Sequence, residues 1–315
     1  MSVQLVTSPA DLRDIVPAWD VLARHSLEPN VFYESWMLLA ALEQFSTGQV
    51  AVLLVWQDPS HTRLLGLVPL MQAHSYYKCP ACHWSNWVYT NCPLGTPLIH
   101  RDYAETALLG VFEWLGETGA TVFSLQNVAV DGAFFQCVET LRRDHALLLD
   151  VPQQWAHSLQ HHFSPVAAVK SQTLWPGEVL QLEQWIREFT QLEQSGWKGW
   201  RQTSSAYPPQ QQAFVEEVMR AGALYGQLMM VRLTLHEELI ALSLHLTGAE
   251  QGIFTLQAAY NAAYADVISL TATPDTTTRQ MATLHLSTRH RFSKPLMHTV
   301  RVAKSVYRYC TSSHH

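Results

Sequence analysis

Phe189-Thr190-Gln191-Leu192-Glu193-Gln194-Ser195-Gly196-Trp197-Lys198-Gly199-Trp200 is the stretch on which the reading of this chain turns. With Leu182, Trp185 and Ile186 ahead of it, Phe189 and Leu192 recur at three- and four-residue steps, which gives one apolar helical face. Gly196 predicts the stop of that helix, because glycine takes the left-handed turn at which helices often end. A second, C-terminal unit opens there. Pro208-Pro209 starts its next helix, which runs through Phe214, Val218, Met219 and Ala221 to Gly222. Residues 227–235 and 239–246 read as strands joined at His236-Glu237-Glu238, and 252–259 as a third strand ending in Tyr260-Asn261-Ala262-Ala263-Tyr264.

The first half follows a similar order. Residues 3–6 make a short strand, and Ser8 can cap a helix from Pro9 whose face carries Leu12, Ile15, Val16, Trp19, Leu22 and Ala23. A second helix passes through Trp36, Leu39, Leu42 and Phe45. The apolar runs 50–56 and 64–71, parted by Asp58-Pro59-Ser60, read as a hairpin. Then come a loop into a strand at 94–99, a helix over 103–115, a strand over 121–125, a helix over 134–143 and a last strand at 147–151. Both halves thus run helix, helix, hairpin, strand, as a duplicated α/β unit would. The expected divisions are an N-terminal domain over 1–152, a linker leading into the second unit over 153–178, a C-terminal domain over 179–266, and a tail over 267–315.

Composition bounds the function. Of 315 residues, 48% are apolar and 15% charged, as in a globular protein of about two domains. No run of about twenty apolar residues predicts a membrane span, and residues 1–10 lack the basic-then-apolar order of a signal peptide, so a cytoplasmic location is expected. The net charge of -6 argues against a nucleic-acid binder. That average hides a split: residues 267–315 hold seven Lys and Arg against the single acid Asp275, which leaves -12 on the body and +6 on the tail. The five cysteines suit a reducing compartment. Cys79-Pro80-Ala81-Cys82-His83 spells a haem-attachment pattern, and Cys92 adds a thiol. Haem attachment needs export, however, and zinc lacks a fourth ligand at sensible spacing, so three cysteines on a strand and loop is the plainer reading. His157, His161 and His162 fall in the polar linker, where exposed histidines are commoner than a metal site. Phosphate-binding, dinucleotide and serine-hydrolase motifs are absent, and His236-Glu237 has Ile240 where a zinc protease needs its second histidine.

Six blocks carry a resemblance. Glu28-Pro29-Asn30-Val31-Phe32-Tyr33-Glu34 with Trp36, Gly66-Leu67-Val68-Pro69-Leu70 and Leu94-Gly95-Thr96-Pro97-Leu98 stand in the first half. Phe189 to Gly199, Leu239-Ile240-Ala241 and Ala259 to Tyr264 stand in the second. In this order they resemble bacterial acetyltransferases of the GNAT superfamily, in the group with a CelD-like or BioF2-like acetyltransferase domain. The resemblance implies an α/β fold of two tandem GNAT-like domains with mixed central sheets flanked by helices. It also implies acetyl-CoA or another acyl-CoA as co-substrate, no metal, and an amine or sugar hydroxyl acceptor, a small molecule or saccharide of cell-envelope or polysaccharide metabolism. The pantetheine arm would lie along 254–259, touching Leu256, Gln257 and Ala258, with the diphosphate at the start of the following helix. Lys198 would meet the cofactor phosphates or the acceptor; otherwise it is a surface lysine in a turn. Tyr260 and Tyr264 would protonate the leaving thiolate, unless they are aromatic caps on a small core. Glu193 would act as base, unless it is simply solvated near a helix end. Phe32, Tyr33 and Trp36 would line an acceptor groove or, more simply, pack in the core.

The chain departs from the family after Asp266. Relatives continue with a Ser-Pro-Gly-like turn, and this chain has no glycine from 267 to 315. Either the C-terminus has diverged or a shifted reading frame has replaced it, and the second is the favoured expectation. An inactive GNAT-like binding protein with a disrupted diphosphate loop is the alternative function.

Overall fold

The computed structural model describes residues 1–46, 49–76, 79–145, 147–152, 154–158, 161–165, 169–195, 209–248, 253–264, 266–272 and 278–287. The chain begins with β1 (Ser2–Val6), α1 (Pro9–Arg13), α2 (Val16–Arg24) and α3 (Ser35–Phe45). Next come β2 (Val50–Trp56), β3 (Leu64–Tyr76), β4 (Cys79–Asn86), β5 (Leu98–Ile99), α4 (Ala104–Glu117), β6 (Val122–Ala129), α5 (Ala133–Asp144) and β7 (Leu148–Asp150). Then follow β8 (Gln154–Ser158), β9 (His161–Pro165), β10 (Lys170–Leu174), α6 (Leu182–Ser195) and α7 (Pro209–Leu224). The last elements are β11 (Leu228–Leu235), β12 (Glu238–Thr247), β13 (Ile253–Tyr260), β14 (Ile268–Ala272) and β15 (Thr278–Ser287).

Local chemistry accounts for most of these bounds. The apolar face expected for α6 is the buried one: Leu182, Trp185, Ile186, Phe189 and Leu192 are all in the core. Gly196, assigned to its stop, lies outside the described residues. The helix expected to run unbroken from Pro9 divides into α1 and α2. Pro17 sits in the first turn of α2 and has no N–H to continue the ladder back into α1. Ser8 occupies the N-cap position of α1, but its side chain makes no capping bond. The β11–β12 turn works because His236 and Glu237 both take positive φ, 50° and 65°, as a two-residue hairpin turn requires. Residues 153–178, expected as a linker with one entry strand, supply three strands among the described residues.

The described strands form two sheets and a separate pair. The larger sheet has the order β1-β2-β3-β4-β6-β15-β7, with β5 on β3 and β8 on β15. It is mixed, since β4 and β6 run parallel while the other pairs are antiparallel. The smaller sheet, β10-β11-β12-β13, is antiparallel throughout, and β14 pairs with β9. The described parts of the segment set apart by its composition, 267–272 and 278–287, therefore supply β14 to the pair with β9 and β15 to the larger sheet. Its strand β15 lies between β6 and β7, with Met281, Ala282, Leu284 and Leu286 buried.

All seven residues of β2 are buried, which requires cover on both faces of the larger sheet. One face packs under α4 and α5 through Leu53, Val55, Val111, Phe134 and Val138. The other joins a single apolar cluster that runs from Trp19, Phe32 and Met37 to Phe189, Phe214, Leu242 and Phe254. Phe32, Tyr33 and Trp36 belong to this shared core. Tyr33 Oη donates to Trp87 O at 2.8 Å, and Trp36 Nε1 donates to Gln227 Oε1 at 3.0 Å and to Glu34 Oε2 at 3.1 Å.

Gly95, in one of the six blocks, is fixed by a close approach. A Cβ there would stand 2.2 Å from Gln126 O and 2.5 Å from Asn86 Nδ2. The same Asn86 amide donates to Gly95 O (2.8 Å) and Gln126 O (3.0 Å), while Gln126 N donates to Asn86 Oδ1 (2.7 Å), so it has nowhere to go. Gly95→Ala is expected to cost about 1–3 kcal/mol by overpacking, read by urea denaturation; a change within experimental error would show that the strand end moves aside freely.

Candidate active site

A cleft of about 470 Å³ opens between the two sheets. Its near wall is the loop after β4, with Tyr89, Asn91, Cys92 and Pro93, joined by Asn127 at the end of β6; its floor is β13 from Thr255 to Ala258; its far wall carries His157, Ser158 and His161. Asn91 and Asn127 both take positive φ, 68° and 55°, a conformation that asparagine tolerates better than most residues. Asn127 Nδ2 donates to Cys92 O at 3.2 Å and thereby ties the loop to β6.

The floor is irregular. Leu244 of β12 stands opposite Gln257, and the next residue, His245, stands opposite Thr255, so Leu256 is an extra residue in β13. Such a bulge bends the strand and breaks its alternation. The consequence is visible in the packing: Phe254, Leu256 and Ala259 face the shared core, whereas Ala258 and Tyr260 face the small cluster of Leu233, Ile240, Ala241 and Ile268. Among the described strands β13 is the last of its sheet order, so the bulge sits on an edge.

The expected site residues divide into two groups. Leu256, Gln257 and Ala258 line the cleft, and Glu193 of α6 lies behind them, accepting a 2.5 Å hydrogen bond from Gln257 Nε2. Tyr260 and Tyr264 pack instead at the small cluster and are not in the cleft lining. Tyr264 Oη donates to Glu238 Oε2 at 2.6 Å, and that bond holds its proton above the ordinary phenol range. Lys198 lies outside the described residues.

Beneath the floor is a neutral network. Ser243 Oγ lies 2.7 Å from His245 Nε2, and Thr255 Oγ1 lies 3.1 Å from His245 Nδ1. Thr255 Oγ1 also accepts from His161 N at 2.8 Å and donates to His161 O at 3.0 Å. With its one proton given to that carbonyl, Thr255 accepts from His245 Nδ1–H, and His245 Nε2 accepts from Ser243. Burial pushes the His245 pKa down to about 4, so the ring is uncharged at neutral pH. The network ties β9, at His161, to β13 at Thr255.

Cys92 is buried, its Sγ donates to Leu94 O at 3.3 Å, and burial raises its thiol far above the usual range. Cys82 packs against the other apolar cluster, and no group of three His, Cys, Asp or Glu side chains is placed to hold a metal among the described residues. After β13 the chain makes a single 3-10 turn, Ala262–Tyr264, and proceeds to β14; no α-helix follows β13 among the described residues. No helix among them is long and apolar enough to cross a membrane.

Sequence reasoning did not single out Asn91, Asn127 or Thr255, and it set His157 and His161 aside as linker. The positive-φ asparagines carry a weak local signal, since asparagine tolerates that conformation; Asn91 lies in a turn and Asn127 within β6. The histidines' place opposite β13 carries none.

Residues 175–271 match the family model of the acetyltransferase (GNAT) domain. Among solved structures, FemX superposes with a TM-score of 0.50 at 9% identity, covering 96% of this chain and 100% of that one. A conserved protein of unknown function from Bacteroides thetaiotaomicron VPI-5482 gives 0.49 at 8% identity, over 91% and 99%. A tandem GNAT protein from the clavulanic acid biosynthesis pathway gives 0.35 at 9% identity, over 91% and 99%. At such identities the likeness to FemX speaks to the fold alone. No curated protein sequence matches at a significant level.

Proposed function

We propose that this chain, which carries a GNAT acetyltransferase domain match over 175–271, is an acyl-CoA-dependent acyltransferase working in the cleft between its two sheets. It moves an acyl group, acetyl in the first instance, to an amine or sugar hydroxyl of a small or saccharide acceptor, within cytoplasmic steps of cell-envelope or polysaccharide metabolism. The observation that carries this reading is the bulged edge strand β13 forming the cleft floor at Leu256, Gln257 and Ala258. An extended amide-bearing arm can add to such an edge as a further strand would, through backbone hydrogen bonds. A thioester is already activated, so the protein has mainly to align the acceptor and to offer dipoles to the oxyanion that forms. Glu193, set behind Gln257, fixes the orientation of that amide.

One observation favours the alternative of a binding protein without turnover: β13 is followed by a 3-10 turn and a strand, so the helix N-terminus that would hold a diphosphate is not at its end. Calorimetric titration with acetyl-CoA, and with free CoA as control, tests the main reading. Binding at micromolar Kd, about -8 kcal/mol, is the expected result. Absence of heat up to millimolar cofactor overturns it, and binding of CoA with no thiol released in the presence of any acceptor favours the alternative.

A further inference from the structure

We propose that the cleft takes an uncharged, hydroxyl-bearing acceptor and that His157 removes the proton of the attacking hydroxyl. This rests on the acyl-transfer reading above and narrows it to one class of acceptor.

The first support is what lines the cleft. Among the described residues its walls and floor include no Asp, Glu, Lys or Arg side chain. A protonated amine entering it would surrender its hydration without meeting a carboxylate, and an anionic sugar would do so without meeting a cation. Glu193 is not in the lining and accepts a hydrogen bond from Gln257 Nε2. What the cleft does offer is the amides of Asn91 and Asn127, the Ser158 hydroxyl, the side chains of His157 and His161 and the ring of Tyr89. The Tyr89 hydroxyl is already given to Phe32 O at 2.8 Å, so this residue presents its ring and not its polar tip. Asn91 Nδ2 finds no hydrogen-bond partner among the described residues. Amide and hydroxyl donors and acceptors beside an aromatic ring match a molecule with several hydroxyls and apolar C–H faces.

The second support is the base. His157 and His161 both line the cleft, as do Thr255 to Ala258 of β13. Burial, and then the neighbouring His161, lower the His157 pKa, so its imidazole is uncharged at neutral pH. The titratable groups around it are few. His161 comes from β9, and the Cys92 thiol and Tyr89 phenol from the loop opposite. Arg279 is its cross-strand partner on β15, with its guanidinium committed to Asp131 and Glu28. None of these supplies a negative charge that would hold a proton on His157.

The step balances without another reactant. The acceptor oxygen forms a bond to the thioester carbonyl carbon as its proton passes to His157. The carbon–sulfur bond then breaks, its electron pair leaves on sulfur, and the imidazolium returns the proton there. The products are an ester and the CoA thiol.

The test uses the full chain with acetyl-CoA, and methyl glucoside and cellobiose against lysine and glucosamine, with thiol release and product mass as readouts. Esters cleaved by mild hydroxylamine should form from the neutral sugars. The rate should rise with pH through a midpoint below that of a free imidazole. His157→Gln should lower kcat by about a hundredfold or more, remove the acidic limb of the pH profile, and leave the affinity for acetyl-CoA unchanged. His161→Gln, run beside it, should keep that limb. An unchanged kcat and limb in His157→Gln overturns the assignment of the base. Calorimetry separates the two levels: no CoA binding removes the parent reading, whereas bound acetyl-CoA with transfer only to amines, or to neither class, overturns the hydroxyl assignment alone.

Discussion

Phe214→Ala is expected to destabilise the chain by about 3–5 kcal/mol and to do so as one cooperative transition. Phe214 is fully buried on α7. Its ring lies 4.9 Å from that of Phe45, at the end of α3, and meets the ring of Tyr89 edge-on at 5.8 Å. Phe45 and Tyr89 belong to the first half of the chain and Phe214 to the second, so truncation opens a cavity in the cluster they share. Each such aromatic pair adds about 0.5–1.5 kcal/mol beyond area burial. Because the apolar cluster is continuous from Trp19 to Phe254, neither half can lose this ring and keep its own packing intact. Urea unfolding followed by tryptophan fluorescence and by circular dichroism should give coincident curves with a lowered midpoint and an unchanged slope. Two resolved transitions, or a loss below about 1 kcal/mol, would show that the halves fold independently. Since Tyr89 also lines the cleft, the variant should bind acetyl-CoA more weakly at temperatures where it is still folded.

Where periodicity is local, the sequence was enough. The face of α6, the β2–β3 hairpin and the β11–β12 turn depend on residues within a few positions of each other, and each was readable from spacing alone. Three features were not. The strand β15 pairs with β6, so that His285 stands opposite Ser124, 161 positions away; its alternating Ala282, Leu284 and Leu286 sit in a segment whose charge and missing glycines point elsewhere. The polar strands β8 and β9 pair with β15 and β14, which lie more than a hundred residues downstream, so nothing nearby in sequence marks them as strands. The bulge at Leu256 is the third. Strict alternation would put Leu256, Ala258 and Tyr260 on one face, and it is the extra residue, visible only in the register with β12, that turns Tyr260 towards the small cluster.

The same long-range pairing gives the last prediction. Glu28 is 7% exposed, and it accepts from Phe134 N, in the first turn of α5, at 3.3 Å. Its carboxylate is packed against Gly132 so closely that a Cβ there would lie 2.3 Å from Oε2. Arg279, from β15, donates to it at 2.9 Å through Nη2 and to Asp131 at 2.8 Å through Nε. Arg279→Met leaves a buried carboxylate without its cation and is expected to cost about 3–5 kcal/mol at neutral pH. The sign of the pH dependence follows from burial. Burial raises the Glu28 pKa above its ordinary value even against the lowering effect of Arg279, so folding favours the protonated form. The stability linked to it is present at low pH and lost as pH rises through the folded pKa. Removing Arg279 raises that pKa further, so the deficit of the variant should be largest above neutrality and narrow towards the ordinary carboxylate range. Glu28→Gln in the same background should recover much of the loss at neutral pH, and no recovery would mean that the charge is not the cause. The measurement also bears on where the tail comes from. A segment brought in by a shifted reading frame has no reason to match a buried carboxylate 251 positions away, and its strand would tolerate Arg279→Met with little change. A loss of several kcal/mol that Glu28→Gln reverses would argue that residues 278–287 evolved with the sheet they complete.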